Sequence, residues 1–241
     1  MEKLGITWYG HSNILLQEGG VSVLIDPFFE GNPFAPDWRS IPRPDVIAVT
    51  HDHGDHLGQA LDIARKTGAA VACIFELAEE LRSQGLDQDQ VCGMNMGGTV
   101  VARGVKLKMT QAFHSAHAGA PAGFVIEMPG GHRVYHAGDT SLFGDMQLLG
   151  ELYQIDVALL PIGGFFTMDA FDAAQAVRLL GAPAVLPIHY ATFPVLAQDA
   201  AEFLGYVRKT SPDCDVLTPK PGETVFLSQK RKERSEAHRA R

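Results

Sequence analysis

The stretch Thr50-His51-Asp52-His53-Gly54-Asp55-His56 decides how this chain folds. Five of its seven side chains can ligate a metal ion. The short apolar run 46–49 precedes it and is typical of a buried strand. Apolar residues at helical spacing follow in 57–64. The sequence therefore predicts a strand, a turn crowded with metal ligands and a helix, with Gly54 permitting the turn.

The spacing within this turn favours two metal ions over one. His51 and His53 are two positions apart, so both imidazoles can reach one ion from the same side. Asp55 and His56 are adjacent and can point towards a second ion. Imidazoles crowded together without an ion would repel one another when protonated. We therefore predict a two-metal site rather than one tetrahedral ion.

Three residues farther along the chain are candidates to complete the site. His114, Asp139 and His189 each follow a run typical of a strand. Site residues of sheet-based enzymes collect at such positions. His117 lies three residues after His114 and would replace it if the strand ended later. We favour His114.

The order of the predicted elements indicates an α/β (α+β) fold. A strand-rich first part is followed by βα units, a strand-rich middle and further βα units. Two sheets packed face to face, with helices on both outer faces, would fit this order. The predicted strands are 4–9, 12–17, 21–26, 46–49, 69–74, 98–102, 104–113, 122–128, 132–137, 156–161, 184–188, 214–217 and 224–228. The predicted helices are 57–64, 76–83, 141–153, 169–180 and 196–209.

A long irregular loop is predicted between the early strands and the histidine turn. Residues 27–44 contain five prolines. Long loops inside a domain are often functional. The aromatic residues of this loop would suit either a cover over a pocket or an interface between copies of the chain; they are Phe28, Phe29, Phe34 and Trp38.

The charge distribution argues against nucleic acid as a partner. The net charge is −8, and the last twelve residues hold six Lys or Arg and two Glu. That basic excess leaves a net charge of −12 on residues 1–229, which would repel a phosphate backbone. We expect residues 1–229 to form one domain that acts on a small molecule, and 230–241 to form a solvated basic tail.

The lack of recognisable targeting signals and the spacing of the cysteines favour a cytoplasmic protein. No apolar run approaches the roughly 20 residues of a membrane span. The first seven residues lack the pattern of a signal peptide. Cys73, Cys92 and Cys214 are widely spaced without a CxxC motif, so we expect no zinc ribbon and no disulfide framework. Buried thiols in a reducing compartment are the simpler expectation.

Taken in order, these motifs resemble those of the metallo-β-lactamase superfamily over residues 4–228. The chain is most similar to the bacterial and archaeal branch of uncharacterised metal-dependent hydrolases. It is more distantly similar to ascorbate-phosphate lactonases and to N-acyl phosphatidylethanolamine phospholipase D enzymes. The matching segments are Gly10-His11-Ser12, Ile25-Asp26-Pro27-Phe28, His51 to His56, His114, Ala137-Gly138-Asp139-Thr140, Pro161-Ile162-Gly163-Gly164 and Pro187-Ile188-His189-Tyr190-Ala191-Thr192-Phe193-Pro194.

The resemblance implies a four-layer αββα sandwich with the site at one edge of the two sheets. It assigns two ligand sets, which are His51, His53 and His114 for one ion and Asp55, His56 and His189 for the other. Asp139 would bridge the two ions. Zinc is the commonest metal of the superfamily, and manganese, iron and nickel also accept such nitrogen and oxygen ligands.

Other residues are predicted to support the ligands or the substrate. Asp26 either caps a turn or accepts a hydrogen bond from a ligand. His11 either occupies a turn or lies in the pocket near the metals. Tyr190, with Thr192, is a candidate for orienting substrate or stabilising an oxyanion, as are the amides of Gly163-Gly164. We expect His136 to face the sheet interior or solvent and His132 to lie in a turn.

The expected activity is hydrolysis. Water activated by two metal ions would attack a small ester, lactone or phosphodiester, and Asp55 would be a ligand or, with the second site empty, a general base. The alternatives are a non-hydrolytic metal-binding or redox module, and a protein that uses the fold only for interaction. The complete set of seven candidate ligands favours the hydrolase.

Overall fold

The computed structural model describes residues 3–227 as two seven-stranded sheets. The predicted basic tail, 230–241, lies outside this range, and the division into a domain and a tail stays a prediction. The strands of the first sheet are β1 (Leu4–Trp8), β2 (Ile14–Glu18), β3 (Val21–Ile25), β4 (Val46–Ala48), β5 (Ala70–Ile74), β6 (Val91–Met94) and β14 (Thr224–Leu227). Those of the second are β7 (Thr99–Ala102), β8 (Val105–Gln111), β9 (Ala122–Glu127), β10 (Arg133–His136), β11 (Val157–Pro161), β12 (Ala184–Ile188) and β13 (Asp215–Val216).

Both sheets are mixed. The strand order of the first is β14-β1-β2-β3-β4-β5-β6, and that of the second is β13-β12-β11-β10-β9-β8-β7. In the first sheet, the successive neighbours from β14 through β1 and β2 to β3 are antiparallel. In the second sheet, the successive neighbours from β7 through β8 and β9 to β10 are antiparallel. The remaining neighbours are parallel. The predicted α/β architecture is confirmed.

The helices cover the outer faces of the sheets. They are α1 (Gly54–Leu57), α2 (Ala60–Thr67), α3 (Phe75–Ser83), α4 (Met146–Tyr153), α5 (Ala170–Leu180) and α6 (Ala201–Thr210), with a short 3-10 helix at Trp38–Ser40. Leu159 of β11 packs into the core shared by the two sheets, whereas its neighbour Leu160 packs under α4 to α6. Successive side chains of a strand point to opposite faces, and helices cover one of them, which explains the continuously apolar runs of the parallel strands.

Element boundaries differ from the prediction at several places. The predicted helix 57–64 is divided into α1 and α2 at Gly58, whose φ of 45° and ψ of −124° end the first helix. β6 was not predicted, because Val91-Cys92-Gly93-Met94 is short and contains a glycine. The predicted helices 141–153 and 196–209 begin only at Met146 and Ala201.

The late start of these two helices has a local cause. Ser141 donates its backbone N–H to the carbonyl of Phe113, which holds the preceding segment against the end of β8. The amide of Gln198 donates to the carbonyls of Phe193 and Leu196, which holds 193–198 in a turn. Side-chain and loop hydrogen bonds of this kind compete with helix formation.

The loop 27–44 is irregular apart from its 3-10 helix, as predicted, but it is not an exposed aromatic surface. Phe28, Phe29 and Trp38 are buried, and the last two belong to the main core. Phe34, at 37% exposure, is the loop's only large hydrophobic side chain on the surface.

Backbone hydrogen bonds join the two sheets at one end of the sandwich. Ala122 donates its N–H to the carbonyl of Thr50 at 3.0 Å, and His189 donates to the carbonyl of His11 at 3.0 Å. At the opposite end, a buried hydrogen bond joins Glu18, the last residue of β2, to His132, which precedes β10. The predicted ligands lie at the first of these ends.

Within residues 3–227, no helix combines the length and apolar composition that spanning a bilayer requires.

Candidate metal centre

The histidine turn connects β4 to α1 at the end where the sheets are joined. His51 and His56 are buried, and His53 precedes the first residue of α1. Gly54 does not have a positive φ angle, and a Cβ there would meet no atom within 4 Å, so the position does not require glycine. The glycine that this turn requires is Gly58, where a Cβ would lie 2.3 Å from the carbonyl oxygen of Pro27. The predicted role of Gly54 in the turn is therefore wrong.

Three histidines form the first cluster of candidate ligands. One ligand atom each from His51, His53 and His114 lies within 4.8 Å of the others. The closest pair is His51 Nε2 and His53 Nδ1, at 2.9 Å. The side chain of His117 is 83% exposed and outside this group, whereas that of His114 is only 12% exposed. The structure thus brings His114, and not His117, into this group of ligand atoms.

The second cluster contains one more residue than the predicted ligand set. Ligand atoms of Asp55, His56, His189 and also His11 lie within 4.8 Å of one another. His11 Nε2 is 3.0 Å from Asp55 Oδ2, and its Nδ1 is 3.0 Å from the hydroxyl of Thr192. Of the two interpretations of His11, a turn residue or a pocket residue, this geometry favours the pocket.

Asp139 lies between the two clusters. Its Oδ2 is 3.6 Å from His114 Nε2 in the first cluster and 3.0 Å from His189 Nε2 in the second. Its Oδ1 is 3.3 Å from His56 Nε2. A carboxylate that approaches imidazoles of both clusters is placed as a bridging ligand would be. The roles of all seven residues as metal ligands stay predictions.

Burial and neighbouring charges set the protonation of the clusters. Burial lowers the pKa of His51 to about 2 and that of His11 to about 4. Burial disfavours the ionised form of Asp139, but the charges of His56 and His189 outweigh it and hold the pKa of Asp139 well below its usual range. Neutral imidazoles with free lone pairs beside an ionised carboxylate are the forms that bind divalent cations.

Asp26 holds the histidine turn through hydrogen bonds to Thr50 and a close contact with His56. Its Oδ1 accepts the backbone N–H of Thr50 at 2.8 Å, and its Oδ2 accepts the hydroxyl of Thr50 at 2.8 Å. The same Oδ2 is 2.7 Å from His56 Nδ1. A proton on Nδ1 leaves the Nε2 lone pair of neutral His56 facing Asp139. The contacts correspond to the second of the two predicted roles, hydrogen bonding to a ligand.

Two residues that sequence reasoning did not assign hold other parts of the site. Asp52, inside the histidine turn, accepts the backbone N–H groups of His117 at 2.9 Å and Ala118 at 2.7 Å, which fixes the segment after His114. His136 is buried; its Nε2 lies 3.1 Å from the carbonyl of Ser12, and its Nδ1 accepts the N–H of Gly138. The position of Asp52 within the histidine turn could have indicated a supporting role in the site. Nothing in the sequence indicated the contacts of His136.

Backbone strain is concentrated at this end of the molecule. His11, Asp26 and His189 have positive φ angles of 54°, 45° and 57°. Residues other than glycine rarely adopt this conformation, and it persists where surrounding contacts enforce it, commonly at functional sites. All three side chains belong to the site or its support.

The remaining predicted residues have contacts of their own. The ring of Tyr190 stacks on Trp8 at 5.1 Å, and burial, with Asp199, raises the pKa of Tyr190. The predicted use of the Gly164 amide as an oxyanion donor is wrong, because that N–H donates to the carbonyl of Met168. His132, predicted to be a turn residue, is buried against Glu18 instead.

The residues of the clusters fit metal ions. His56 Nε2 and Asp139 Oδ1 are buried, face each other, and have no hydrogen-bond partner within residues 3–227. Although burial alone would lower it, Asp139 and Asp26 raise the pKa of His56 well above its usual value. A cation is therefore favoured at this position, and imidazole with carboxylate is a donor set suited to zinc and other transition metals.

Comparisons with known proteins show the family to which the chain belongs. Residues 22–190 match a family model described as a Beta-lactamase superfamily domain. A UPF0173 metal-dependent hydrolase of Nitratidesulfovibrio vulgaris (strain DP4) is 50% identical over 228 residues, which cover 93% of this chain and 95% of that protein. A UPF0173 metal-dependent hydrolase of Pyrobaculum islandicum is 48% identical over 227 residues, covering 92% and 99%.

A solved structure is similar over nearly the whole chain. Igni18, a metallo hydrolase from the hyperthermophilic archaeon Ignicoccus hospitalis KIN4/I, has a TM-score of 0.86 and 39% sequence identity. The match covers 95% of this chain and 100% of Igni18. The chain therefore belongs to the beta-lactamase superfamily and, within it, to the UPF0173 metal-dependent hydrolases. The resemblance inferred from the motifs is confirmed.

Proposed function

We propose that this hydrolase uses a dinuclear metal site to cleave an ester, lactone or phosphodiester bond of a small molecule. His51, His53 and His114 would hold one divalent ion, and Asp55, His56 and His189 the other, with Asp139 between them. The observation that carries the proposal is the pair of adjacent ligand clusters separated by one buried carboxylate. Zinc is the first candidate metal; manganese, iron and nickel are the others.

The chain's own residues prepare the site for hydrolysis. Divalent cations supply Lewis acidity and lower the pKa of water, which makes hydroxide available near neutral pH. When His56 is neutral, its contact with Asp26 would hold the imidazole proton on Nδ1 and leave Nε2 free to ligate an ion. His189 and His114 contact Asp139 from different clusters and fix the orientation of its carboxylate.

Asp55 is better suited to ligation than to proton transfer. Burial disfavours its ionised form, but the hydrogen bond with His11 and the charge of His56 outweigh this and hold the pKa of Asp55 below its usual value. A carboxylate with a lowered pKa is a weak base near neutral pH. We therefore place Asp55 among the ligands, with His11 orienting it and Tyr190 at the edge of the pocket.

The remaining features support a small-molecule enzyme of the cytoplasm. Cys73, Cys92 and Cys214 are free thiols, as is common in a reducing compartment. The net charge of −8 opposes binding to a phosphate backbone, and we propose no nucleic-acid partner.

Removal of both histidines of the first cluster tests the proposal. His51→Ala combined with His53→Ala should lower bound metal by about one ion per chain and reduce hydrolysis by at least about 100-fold. Bound metal is measured by elemental analysis, and hydrolysis with ester, lactone and phosphodiester probes. His117→Ala is the matched control, since that side chain is 83% exposed and should leave both quantities unchanged.

Two results would contradict the proposal. Unchanged metal content in the double variant would exclude these histidines as ligands. Turnover that requires iron and dioxygen, and is absent with redox-inert zinc, would favour the redox alternative.

A further inference from the structure

Aromatic side chains form the wall of the site beside the second cluster. The ring centroids of Phe28 and Phe193 lie 5.7 Å and 5.4 Å from that of His11. The two phenylalanine rings are 6.4 Å apart. The ring of His11 in turn lies 4.0 Å from that of His189. These two phenylalanine rings therefore border the second cluster.

A second aromatic pair flanks the first cluster. Phe113 immediately precedes His114, is 58% exposed, and lies 5.3 Å from Phe143 between ring centroids. The backbone N–H of Phe113 donates to the hydroxyl of Thr140 at 3.0 Å, and Thr140 follows Asp139. This bond holds the backbone of Phe113 against the segment that carries Asp139.

A third pair projects from the loop after β11. Phe165 and Phe166 are 66% and 53% exposed, and their ring centroids are 4.8 Å apart. Met168 of the same loop donates its N–H to the carbonyl of Thr140 at 3.0 Å. A Cβ on Gly163 would lie 2.5 Å from the carbonyl oxygen of His189. The loop that carries both phenylalanines is thus held between the segments of Asp139 and His189.

The segments around the site provide almost no positive charge. Residues 50–58, 112–121, 138–145, 162–169 and 189–200 contain neither Lys nor Arg. The loop 26–45 contains Arg39 and Arg43, and both are engaged elsewhere. Arg39 pairs with Asp37 at 3.1 Å, and Arg43 donates to the carbonyl of Thr67. An anionic substrate would therefore find no side-chain cation of these segments to bind it.

We propose that the substrate is an uncharged carboxylic ester or lactone with an apolar group, and that this group packs on Phe113, Phe165 and Phe166. The inference rests on the proposed function and narrows it, because a phosphodiester would lack a cationic partner beyond the metals. In the reaction the acyl carbon gains the hydroxyl of water, the bond to the alcohol oxygen breaks, and that oxygen takes the other proton of water.

Esters of increasing chain length test this substrate class. The zinc-loaded protein is assayed with p-nitrophenyl acetate, butyrate and octanoate and with bis(p-nitrophenyl) phosphate, and only activity that a chelator removes is counted. We expect kcat/KM to rise at least about tenfold from acetate to octanoate, since each buried methylene adds to binding. The phosphodiester should be the poorest of the four.

A double variant tests whether Phe165 and Phe166 cause the preference for the longer ester. Phe165→Ser with Phe166→Ser should lower the octanoate-to-acetate ratio of kcat/KM by about tenfold, with bound zinc at the wild-type stoichiometry. Phe171→Ser is the matched control, because that side chain is 51% exposed but packs on Tyr206 between α5 and α6. It should leave the ratio unchanged.

The outcomes separate this inference from the proposed function. Preference for the phosphodiester, or for acetate over octanoate, would overturn the inference while hydrolysis stands. No chelator-sensitive hydrolysis of any probe would overturn both. An unchanged ratio in the double variant, together with a smaller oligomer in sedimentation, would assign Phe165 and Phe166 to an interface between copies of the chain instead.

Discussion

Asp26 shows how one carboxylate decides the chemistry of a neighbouring imidazole. It binds Thr50 through both oxygens and His56 through Oδ2, so it fixes the backbone of the histidine turn and the tautomer of one candidate ligand together. A carboxylate only accepts hydrogen bonds, and this property, rather than its charge alone, keeps the His56 proton on Nδ1.

Asp26→Asn should therefore weaken metal binding without changing the fold. An amide NH2 in place of Oδ2 would donate to His56 Nδ1 and move the imidazole proton to Nε2, which faces Asp139. Asparagine tolerates the positive φ of 45° at this position. We expect metal affinity to fall about 10- to 100-fold, measured by competition with a chromophoric chelator.

Asp37→Asn is the control for this substitution. Asp37 also accepts a backbone N–H, from Arg39, but its side chain is 59% exposed and caps the 3-10 helix in the loop. Affinity within about twofold of wild type in both variants would show that Asp26 has no influence on the metal site.

The candidate ligands were easier to predict from the sequence than the residues that position them. Histidine and aspartate at strand ends are recognisable by residue type and spacing, so all seven candidate ligands could be named in advance, and the structure brings their side chains together. The contact between His136 and Ser12 joins residues 124 positions apart, and no local pattern encodes such a contact. For the same reason, the sequence did not decide whether His11 is a turn residue or a member of the second cluster.

At the scale of elements, Gly58 separates the ligand turn from the helix that follows it. Its φ of 45° and ψ of −124° redirect the chain after α1, and its Cα lies against the backbone of Pro27 and Phe28. The helical spacing of 57–64 predicted one helix, because periodicity records which face is buried but not where the backbone turns. Most strand positions were predicted within a few residues, since buried parallel strands are continuously apolar.

Gly58→Ala should destabilise the protein by about 3 kcal/mol. The new Cβ would lie 2.3 Å from the carbonyl oxygen of Pro27, and that backbone cannot move without displacing Asp26. Gly54→Ala is the matched control in the same turn, with no atom within 4 Å of its Cβ, and should change stability by less than about 1 kcal/mol. Urea unfolding followed by circular dichroism gives both values. Equal stability of the two variants would contradict this account of the turn.

At the scale of the whole molecule, the two sheets are joined at both ends by different means. Backbone hydrogen bonds join them near the site, and Glu18 with His132 joins them at the far end. The layered architecture was predictable from the order of strand-rich and βα segments. The Glu18–His132 pair was not, because residues 114 positions apart on different sheets share no sequence pattern.

Glu18→Ala should lower the free energy of unfolding by about 1–3 kcal/mol, since it leaves the buried imidazole of His132 without its hydrogen-bond partner. Glu127→Ala is the control, because the Glu127–Arg133 pair is about one third exposed and should contribute less than about 1 kcal/mol. Thermal or urea unfolding measures both, with bound metal unchanged in each variant. A loss below about 1 kcal/mol in Glu18→Ala would assign the attachment of the sheets to apolar packing alone.

The hydrogen bond between His189 and His11 has a consequence for the kinetics of folding. It joins the first sheet to the second across 178 residues, and contacts of such long range form slowly because a large loop must close first. The histidine turn can fold early with its neighbouring strands, yet it then offers an ion only part of the site. We therefore expect metal uptake to follow the docking of the two sheets rather than to nucleate it.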